Sequence, residues 1–474
     1  MERPGARRPV DRVVRVTRPR RDVVVLRRPA GRRPHPSSPY LLILGLLALI
    51  AVGTGLLLLP VASEPPHRTD LLTALFTATS AASVTGLVVV DTQTHWSLFG
   101  ELVVLVLIFT GGLGFLTSST LILLVIGRQL SLRDRLVLRE SSGEGTLGSV
   151  AALVRRIVRF ALLVQLVGAV LLTFYWLVLE QERPLIALWY GIFHAVSAFN
   201  NAGFDLLGGF RGLTGHADQP YLLLVASALI IIGSLGYAPL ADLWRQRRFQ
   251  RLALDSKLVL TLSGGLLAIG TVMFFVLEHG NPATLGALDL PARLVHAFFF
   301  SASGRTAGFA SLDVSALRDE TLFFLMGLMF VGGAAGSTAG GIKVNVLAVL
   351  TAALVSASKG RLTIVAYQRE IPPAVVMRAL TVAMLSLVIL VNVALVLTIA
   401  ATFEFVVLLF EATSAVATNG LSTGVTPAFT GSGKLTLIVA MFLGRLGPLT
   451  LAFVLARRQR ASRLRYGEDA VRIG

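Results

Sequence analysis

Long apolar runs broken by short polar stretches dominate the chain from residue 39 onward. At about 20 apolar residues per bilayer crossing, they predict eight spans, at about 39–60, 97–126, 157–179, 220–243, 257–278, 321–355, 378–402 and 434–456. Between the two members of each successive pair lies a segment of helical character that ends in a small-residue turn and a glycine. Four such phrases recur: Phe76–Gly86 (FTATSAASVTG), Phe193–Gly203 (FHAVSAFNNAG), Phe298–Gly308 (FFFSASGRTAG) and Phe410–Gly420 (FEATSAVATNG), spaced by 117, 105 and 112 residues. A helix of about a dozen residues reaches about 18 Å, too short for a hydrocarbon core about 30 Å thick. The chain therefore reads as four tandem units of span, short helix, glycine turn, span.

The fold expected is an all-α polytopic membrane protein of four helix/pore-helix/helix repeats, with eight spans and four re-entrant pore loops around one pore. Its boundaries are a basic tail at 1–38, repeats at 39–145, 146–250, 251–368 and 369–456, and a basic C-terminus at 457–474. Two spans per unit insert every unit in the same orientation, so all four phrases enter from one face and converge on an axis.

Composition agrees. Hydrophobic residues make up 54% of the 474 and charged residues only 15%, with a mean hydropathy of +0.75, the profile of a polytopic membrane protein. With no cysteine, disulfides, thiolate metal sites and cysteine nucleophiles are excluded together. Of the 43 Lys and Arg, 34 lie on the side shared by both termini and six on the other, which places both termini in the cytoplasm. The first 36 residues hold twelve arginines and no apolar core, so they read as a cytoplasmic tail rather than a signal peptide. Their charge suits anionic lipid headgroups or an acidic partner surface better than nucleic acid. The three remaining basic residues, Arg305, Lys343 and Arg445, fall inside apolar or glycine-rich membrane segments, where a charge is costly and commonly functional.

The turns set the chemistry. Val84-Thr85-Gly86, Asn201-Ala202-Gly203, Thr306-Ala307-Gly308 and Thr418-Asn419-Gly420 carry no carboxylate, so backbone carbonyls rather than side chains are the expected ligands of a dehydrated monovalent cation. Glycine supplies the positive φ that lets successive carbonyls face one way. A calcium or magnesium path would show an acidic ring, and its absence favours potassium or sodium. Each short helix also points its carbonyl-bearing end at the membrane centre, which favours a cation.

Enzyme readings fail. Gly336-Ser337-Thr338-Ala339-Gly340-Gly341-Ile342-Lys343 lacks the Lys-Ser/Thr step of a phosphate loop. The seven histidines show no metal spacing, and His194 and His296 are expected to be packed or hydrogen-bonded. No catalytic or organic-cofactor site is expected.

The motifs SVTGLVVVDT (Ser83–Thr92), NNAGFDL (Asn200–Leu206), GRTAGF (Gly304–Phe309), ATNGLSTG (Ala417–Gly424), GGAAGSTAGGIK (Gly332–Lys343) and GRLGPLT (Gly444–Thr450) resemble those of the membrane subunit of the Trk/Ktr superfamily of potassium transporters. The single span ahead of the first phrase is similar to the Ktr branch. That resemblance implies a potassium filter bordered by Gly86, Gly203, Gly308 and Gly420, potassium as the transported ion, a homodimer, and a cytosolic nucleotide-binding ring of RCK-type subunits. Asn419 departs from the valine usual in relatives. The basic stretches Arg245-Gln246-Arg247-Arg248 and Arg457-Arg458-Gln459-Arg460 are candidate contacts for the ring, or act as topology determinants alone.

The run Gly332-Gly333-Ala334-Ala335-Gly336-Ser337-Thr338-Ala339-Gly340-Gly341 should break the sixth span, since each glycine lowers helix propensity by about 1 kcal/mol relative to alanine. The resemblance makes this stretch a gating loop. Lys343 and Arg445 are the charges expected to control it, with Arg445 donating to its carbonyls. Arg305, two residues before Ala307, needs a neutralising acid, and Glu411 in the fourth short helix is the candidate partner, the pair bracing two pore helices. The alternatives to a potassium pore are a sodium-permeable or non-selective cation channel and an alternating-access carrier. The parallel orientation of the repeats disfavours the carrier.

Overall fold

In the computed structural model, residues 38–65, 68–114, 150–216, 218–361 and 363–447 are described below. Both basic tails, and the C-terminal parts of the expected spans 97–126 and 434–456, lie outside them.

The described chain is mostly helical, with one two-residue antiparallel hairpin, Val365–Ala366 against Arg369–Glu370. Helix starts follow local chemistry: proline occupies the first turn of Pro184–Asn200, Pro220–Leu235 and Pro373–Ala400, where its missing N–H is no loss. Asp289 caps Leu290–Ser303 by accepting from the Ala292 N–H at 3.2 Å, and Ser97 caps Leu98–Gly112 through the Gly100 N–H. Among the described residues, three helices, Ala152–Leu179, Leu254–Glu278 and Pro373–Ala400, are each long and apolar enough to cross a membrane. Much of their surface is exposed leucine, valine and phenylalanine, as expected of lipid-facing helices whose solvent is hydrocarbon.

The fourth apolar run does not form the continuous helix expected at 220–243. It breaks into Pro220–Leu235 and Tyr237–Gln246, bent by 93°. The cause is Gly236, at φ +73°. A side chain there would approach the Gly336 carbonyl oxygen at 3.0 Å, so the bend makes room for the glycine-rich segment of the sixth run. That run is interrupted as its composition predicts, into Asp319–Phe330 and Val344–Ser358 with irregular backbone between.

Four short helices, Leu71–Ser83, Pro184–Asn200, Leu290–Ser303 and Phe405–Ala417, carry the repeated phrases. Each is anchored by a wholly buried phenylalanine: Phe76, Phe193, Phe299 and Phe410 are 0% exposed. Burying such a ring stabilises by about 1.5–3 kcal/mol. In the third repeat the anchor is Phe299 rather than Phe298, which is only half-buried. The third phrase is thus one residue tighter between its anchor and its glycine.

Candidate functional site

The first, second and fourth short helices end alike. Val84, Asn201 and Thr418 adopt left-handed backbone with φ of +56°, +58° and +49°. In each, the next residue's N–H reaches back to a serine carbonyl at 2.8 Å: Thr85 to Ser80, Ala202 to Ser197 and Asn419 to Ser414. This closes the helix and turns the chain outward. The tighter third turn places Thr306 at φ +78° and returns the Ala307 N–H to the Ser303 carbonyl at 2.9 Å.

The same serines fix the irregular segments that follow. Ser80 and Ser414 accept from the Gly86 and Gly420 N–H groups at 3.1 and 3.0 Å, while Ser197 and Ser303 donate to the Phe204 and Phe309 carbonyls at 2.7 and 2.6 Å. Sequence reading passed over these four serines; their signal was the recurrence of serine near the middle of each phrase. Asn419 has a structural account as well: its Nδ2 donates to the Ser303 and Gly304 carbonyls at 3.2 and 3.1 Å, tying the fourth turn to the third helix end.

The four glycines meet. A Cβ on Gly86 would lie 2.2 Å from the Ala202 carbonyl oxygen, on Gly203 2.7 Å from that of Ala307, on Gly308 2.3 Å from that of Asn419, and on Gly420 2.2 Å from that of Thr85. Each turn abuts the carbonyl preceding the next glycine, so the contacts close into a ring. All four glycines have positive φ, between +70° and +99°, a conformation cheap only for glycine. The ring floors a cavity of about 180 Å³ whose wall includes Asp91 and Asp205. Asp91 is engaged on both oxygens, with Thr94 on one and the Phe210 N–H at 2.9 Å on the other. Asp205 accepts from the Leu207 N–H at 3.0 Å on one oxygen. Burial pushes the Asp205 carboxyl up, to about 6, with a further push from Asp91.

On the other side of the ring, the segment between Val331 and Lys343 packs against the helix ends that precede the turns. The Ala334 N–H donates to the Ser234 carbonyl at 2.8 Å, and the Thr338 hydroxyl to the Phe199 carbonyl at 3.0 Å. Arg445 donates from Nη1 to the Thr338 carbonyl at 2.9 Å and from Nη2 to the Gly111 carbonyl. Lys343 donates to the Ala339 carbonyl at 2.5 Å. Non-helical backbone of this kind is tolerated at membrane depth only where protein buries it or water lines it.

The expected Arg305–Glu411 pair is not formed. Arg305, 4% exposed, donates to the carbonyl and hydroxyl of Ser263 at 3.1 and 3.2 Å. Glu411 instead accepts from the Ser422 hydroxyl, the Thr423 N–H and hydroxyl and the Thr426 hydroxyl, at 2.7–3.2 Å. The carboxylate turns toward donors of its own repeat, where a short chain segment supplies four at once. His194 and His296 are hydrogen-bonded, to the Tyr190 carbonyl and the Ser311 hydroxyl at 2.7 and 2.8 Å.

Comparison with known proteins is consistent with this architecture. The chain is 38% identical over 438 residues to the Ktr system potassium uptake protein B of Bacillus subtilis, covering 92% of this chain and 97% of that protein. It is 36% identical over 450 residues to the protein of the same name from Vibrio alginolyticus, covering 94% and 97%. The potassium/sodium uptake protein NtpJ of Enterococcus hirae is also 36% identical, with 93% and 98% covered. The crystal structure of the potassium transporter TrkH from Vibrio parahaemolyticus superposes with a TM-score of 0.70 at 19% identity, covering 91% of this chain and 87% of that one, and so shares the fold. The TrkH profile, described as a cation transport protein, matches residues 46–463. A transporter scaffold shared nearly end to end and a ring of glycine turns at its centre lead to one assignment: the chain is a membrane protein of the TrkH family of cation transport proteins.

Proposed function

We propose that this protein takes up potassium through a pore of four repeats, eight spans and four re-entrant loops, with the backbone carbonyls of Thr85, Ala202, Ala307 and Asn419 and their neighbours forming the selectivity filter. The closed glycine ring carries this reading. Four turns that each present a carbonyl to the next glycine, with no carboxylate among them, are suited to replacing the water shell of a monovalent cation. Relatives named for potassium uptake at 36–38% identity support potassium as the ion. The relative named for potassium and sodium keeps a sodium-permeable channel as the second reading.

The segment Gly332–Lys343 acts as the gate. Its hydrogen bond to Arg445 and its packing against the turns support that role, and Lys343 and Arg445 oppose cation passage while the gate is shut. The chain sits in the bacterial inner membrane with both termini cytoplasmic and the outer cavity facing outward, as the distribution of basic residues supports. It works as a homodimer on a cytosolic RCK-type ring that supplies nucleotide control, and its basic surfaces meet anionic lipids.

Flux of potassium, rubidium, sodium and lithium into proteoliposomes tests the assignment. Potassium and rubidium should permeate far faster than sodium and lithium. Equal sodium and potassium flux would refute the selectivity, and exchange-only saturating transport would refute the pore.

A further inference from the structure

The bent fourth run ends in Tyr237–Gln246, a helix at 93° to the apolar Pro220–Leu235. A helix at right angles to one that runs into the bilayer lies along the membrane surface. Both of its ends are fixed. The Tyr237 ring meets Phe160 edge-to-face at 5.7 Å. At the other end the Arg247 N–H donates to the Leu243 carbonyl at 3.0 Å, with Arg247 at φ +50°. Behind that turn, Asp242 accepts from the Ala253 N–H at 2.9 Å, and Lys257 Nζ donates to the Gln250 carbonyl at 2.7 Å. Leu240, Leu243 and Trp244 share one stripe of the helix, at spacings of three and four. Trp244 is 79% exposed, whereas Trp96 and Trp176 are buried and the half-buried Trp189 donates its indole N–H to Glu101. Beside Trp244 stand Arg247, Arg248 and Arg251, all exposed and none in a salt bridge among the described residues. Residues 237–251 hold four arginines against one acid, Asp242.

We infer that Tyr237–Gln246 is an interfacial helix on the cytoplasmic leaflet, with Leu243 and Trp244 seated among the lipid headgroups and Arg247, Arg248 and Arg251 holding the phosphates of anionic phospholipids. The inference gives a place to the lipid contact proposed above; it rests on the membrane orientation stated there and not on the filter. Tryptophan joins an apolar ring to one N–H donor and so suits the boundary between hydrocarbon and water. The guanidinium fork matches phosphate oxygens in pairs. An apolar stripe flanked by arginines, on a helix that lies flat, fits a negatively charged bilayer surface.

The helix is hinged where the glycine-rich segment arrives. A Cβ on Gly236 would lie 3.0 Å from the Gly336 carbonyl oxygen, and the Ser234 carbonyl accepts from the Ala334 N–H at 2.8 Å. Headgroups that hold Tyr237–Gln246 in the membrane plane therefore also hold the bend against which residues 334–336 rest.

The test reads the fluorescence of Trp244 in the full chain in vesicles, with Trp244→Phe supplying the background of the other three tryptophans. Brominated phosphatidylglycerol, diluted into phosphatidylcholine, should quench Trp244 more than brominated phosphatidylcholine does at equal bromine content. Combining Arg247→Gln, Arg248→Gln and Arg251→Gln should raise the half-saturating fraction of phosphatidylglycerol about tenfold. Thermal melting reports whether that variant folds, and if it does not, the two brominated lipids on the unaltered protein decide. Equal quenching by the two lipids, or an unchanged half-saturating fraction in a folded triple variant, would overturn the anionic site. Quenching by iodide on both sides of the membrane and by neither lipid would overturn the lipid assignment and give this surface to a soluble protein partner. Potassium flux into the same vesicles is read separately. Flux without a lipid preference would sink this site and leave the pore standing, and a lipid preference without flux would do the reverse.

Discussion

The two ends of the glycine ring are built with opposite electrostatics. Outside, the cavity wall carries Asp91 and Asp205. On the side of the glycine-rich loop stand Arg445 and Lys343, and their hydrogen bonds go to backbone carbonyls rather than to carboxylates. A carboxylate partner would cancel such a charge, while a carbonyl orients it and leaves it intact. The cavity side of the ring thus carries carboxylates, and the loop side carries basic groups held by backbone carbonyls. The contrast extends to the buried carboxylate and arginine near the turns. Glu411 is saturated by four donors in its own repeat, whereas Arg305 keeps an Nε with no partner.

The largest expected break of this contrast comes at the ring that separates the two ends. Gly86→Ala and Gly420→Ala each place a methyl group 2.2 Å from a neighbouring carbonyl oxygen. Potassium-over-sodium discrimination in liposome flux should fall at least tenfold, about 1.4 kcal/mol. Gly203→Ala, with 2.7 Å to the nearest oxygen, should be the mildest of the four. At the inner end, Arg445→Gln or deletion of Gly336–Gly340 should raise potassium flux through the isolated subunit severalfold. Unchanged uptake in both would remove the loop from gating. Glu411→Gln removes a charge that accepts four hydrogen bonds and should destabilise the protein by about 2 kcal/mol, read as a lower melting temperature; no shift would mean that the segment at residues 422–426 holds itself. The smallest effect belongs to the outer wall, where Asp205→Asn should weaken apparent potassium affinity two- to threefold at low ionic strength. That difference should vanish in high salt, because charge steering is screened beyond about 10 Å at 0.1 M.

Much of this site was legible in the chain because its parts repeat. Four phrases with matched spacing announced the turns, and the dense glycine run from Gly332 announced the break in the sixth apolar run, since glycine density lowers helix propensity wherever it falls. The bend at Gly236 was not legible. A lone glycine in an apolar run is ordinary, and only the arrival of Gly336 from another repeat explains it. Arg305 and Glu411 misled for a related reason. Two opposite charges in similar half-helices imply a pair, yet the donors that won Glu411, at residues 422–426, lie on a stretch whose fold is set by the turn before it. The one-residue tightening of the third phrase was hidden by Phe298, Phe299 and Phe300 in succession, any of which satisfies a hydrophobic pattern.

The order of contacts around the ring has a rotational sense: repeat one leans on two, two on three, three on four, and four back on one. Injury at any glycine is therefore delivered downstream to a single neighbour rather than shared evenly. Pairs of substitutions in consecutive repeats should show energetic coupling, while pairs across the axis, such as Gly86 with Gly308, should come closer to adding independently. A ring of four non-identical quarters thereby has a handed circuit of mechanical dependence, which a symmetric assembly of four identical chains could express only as four equal steps.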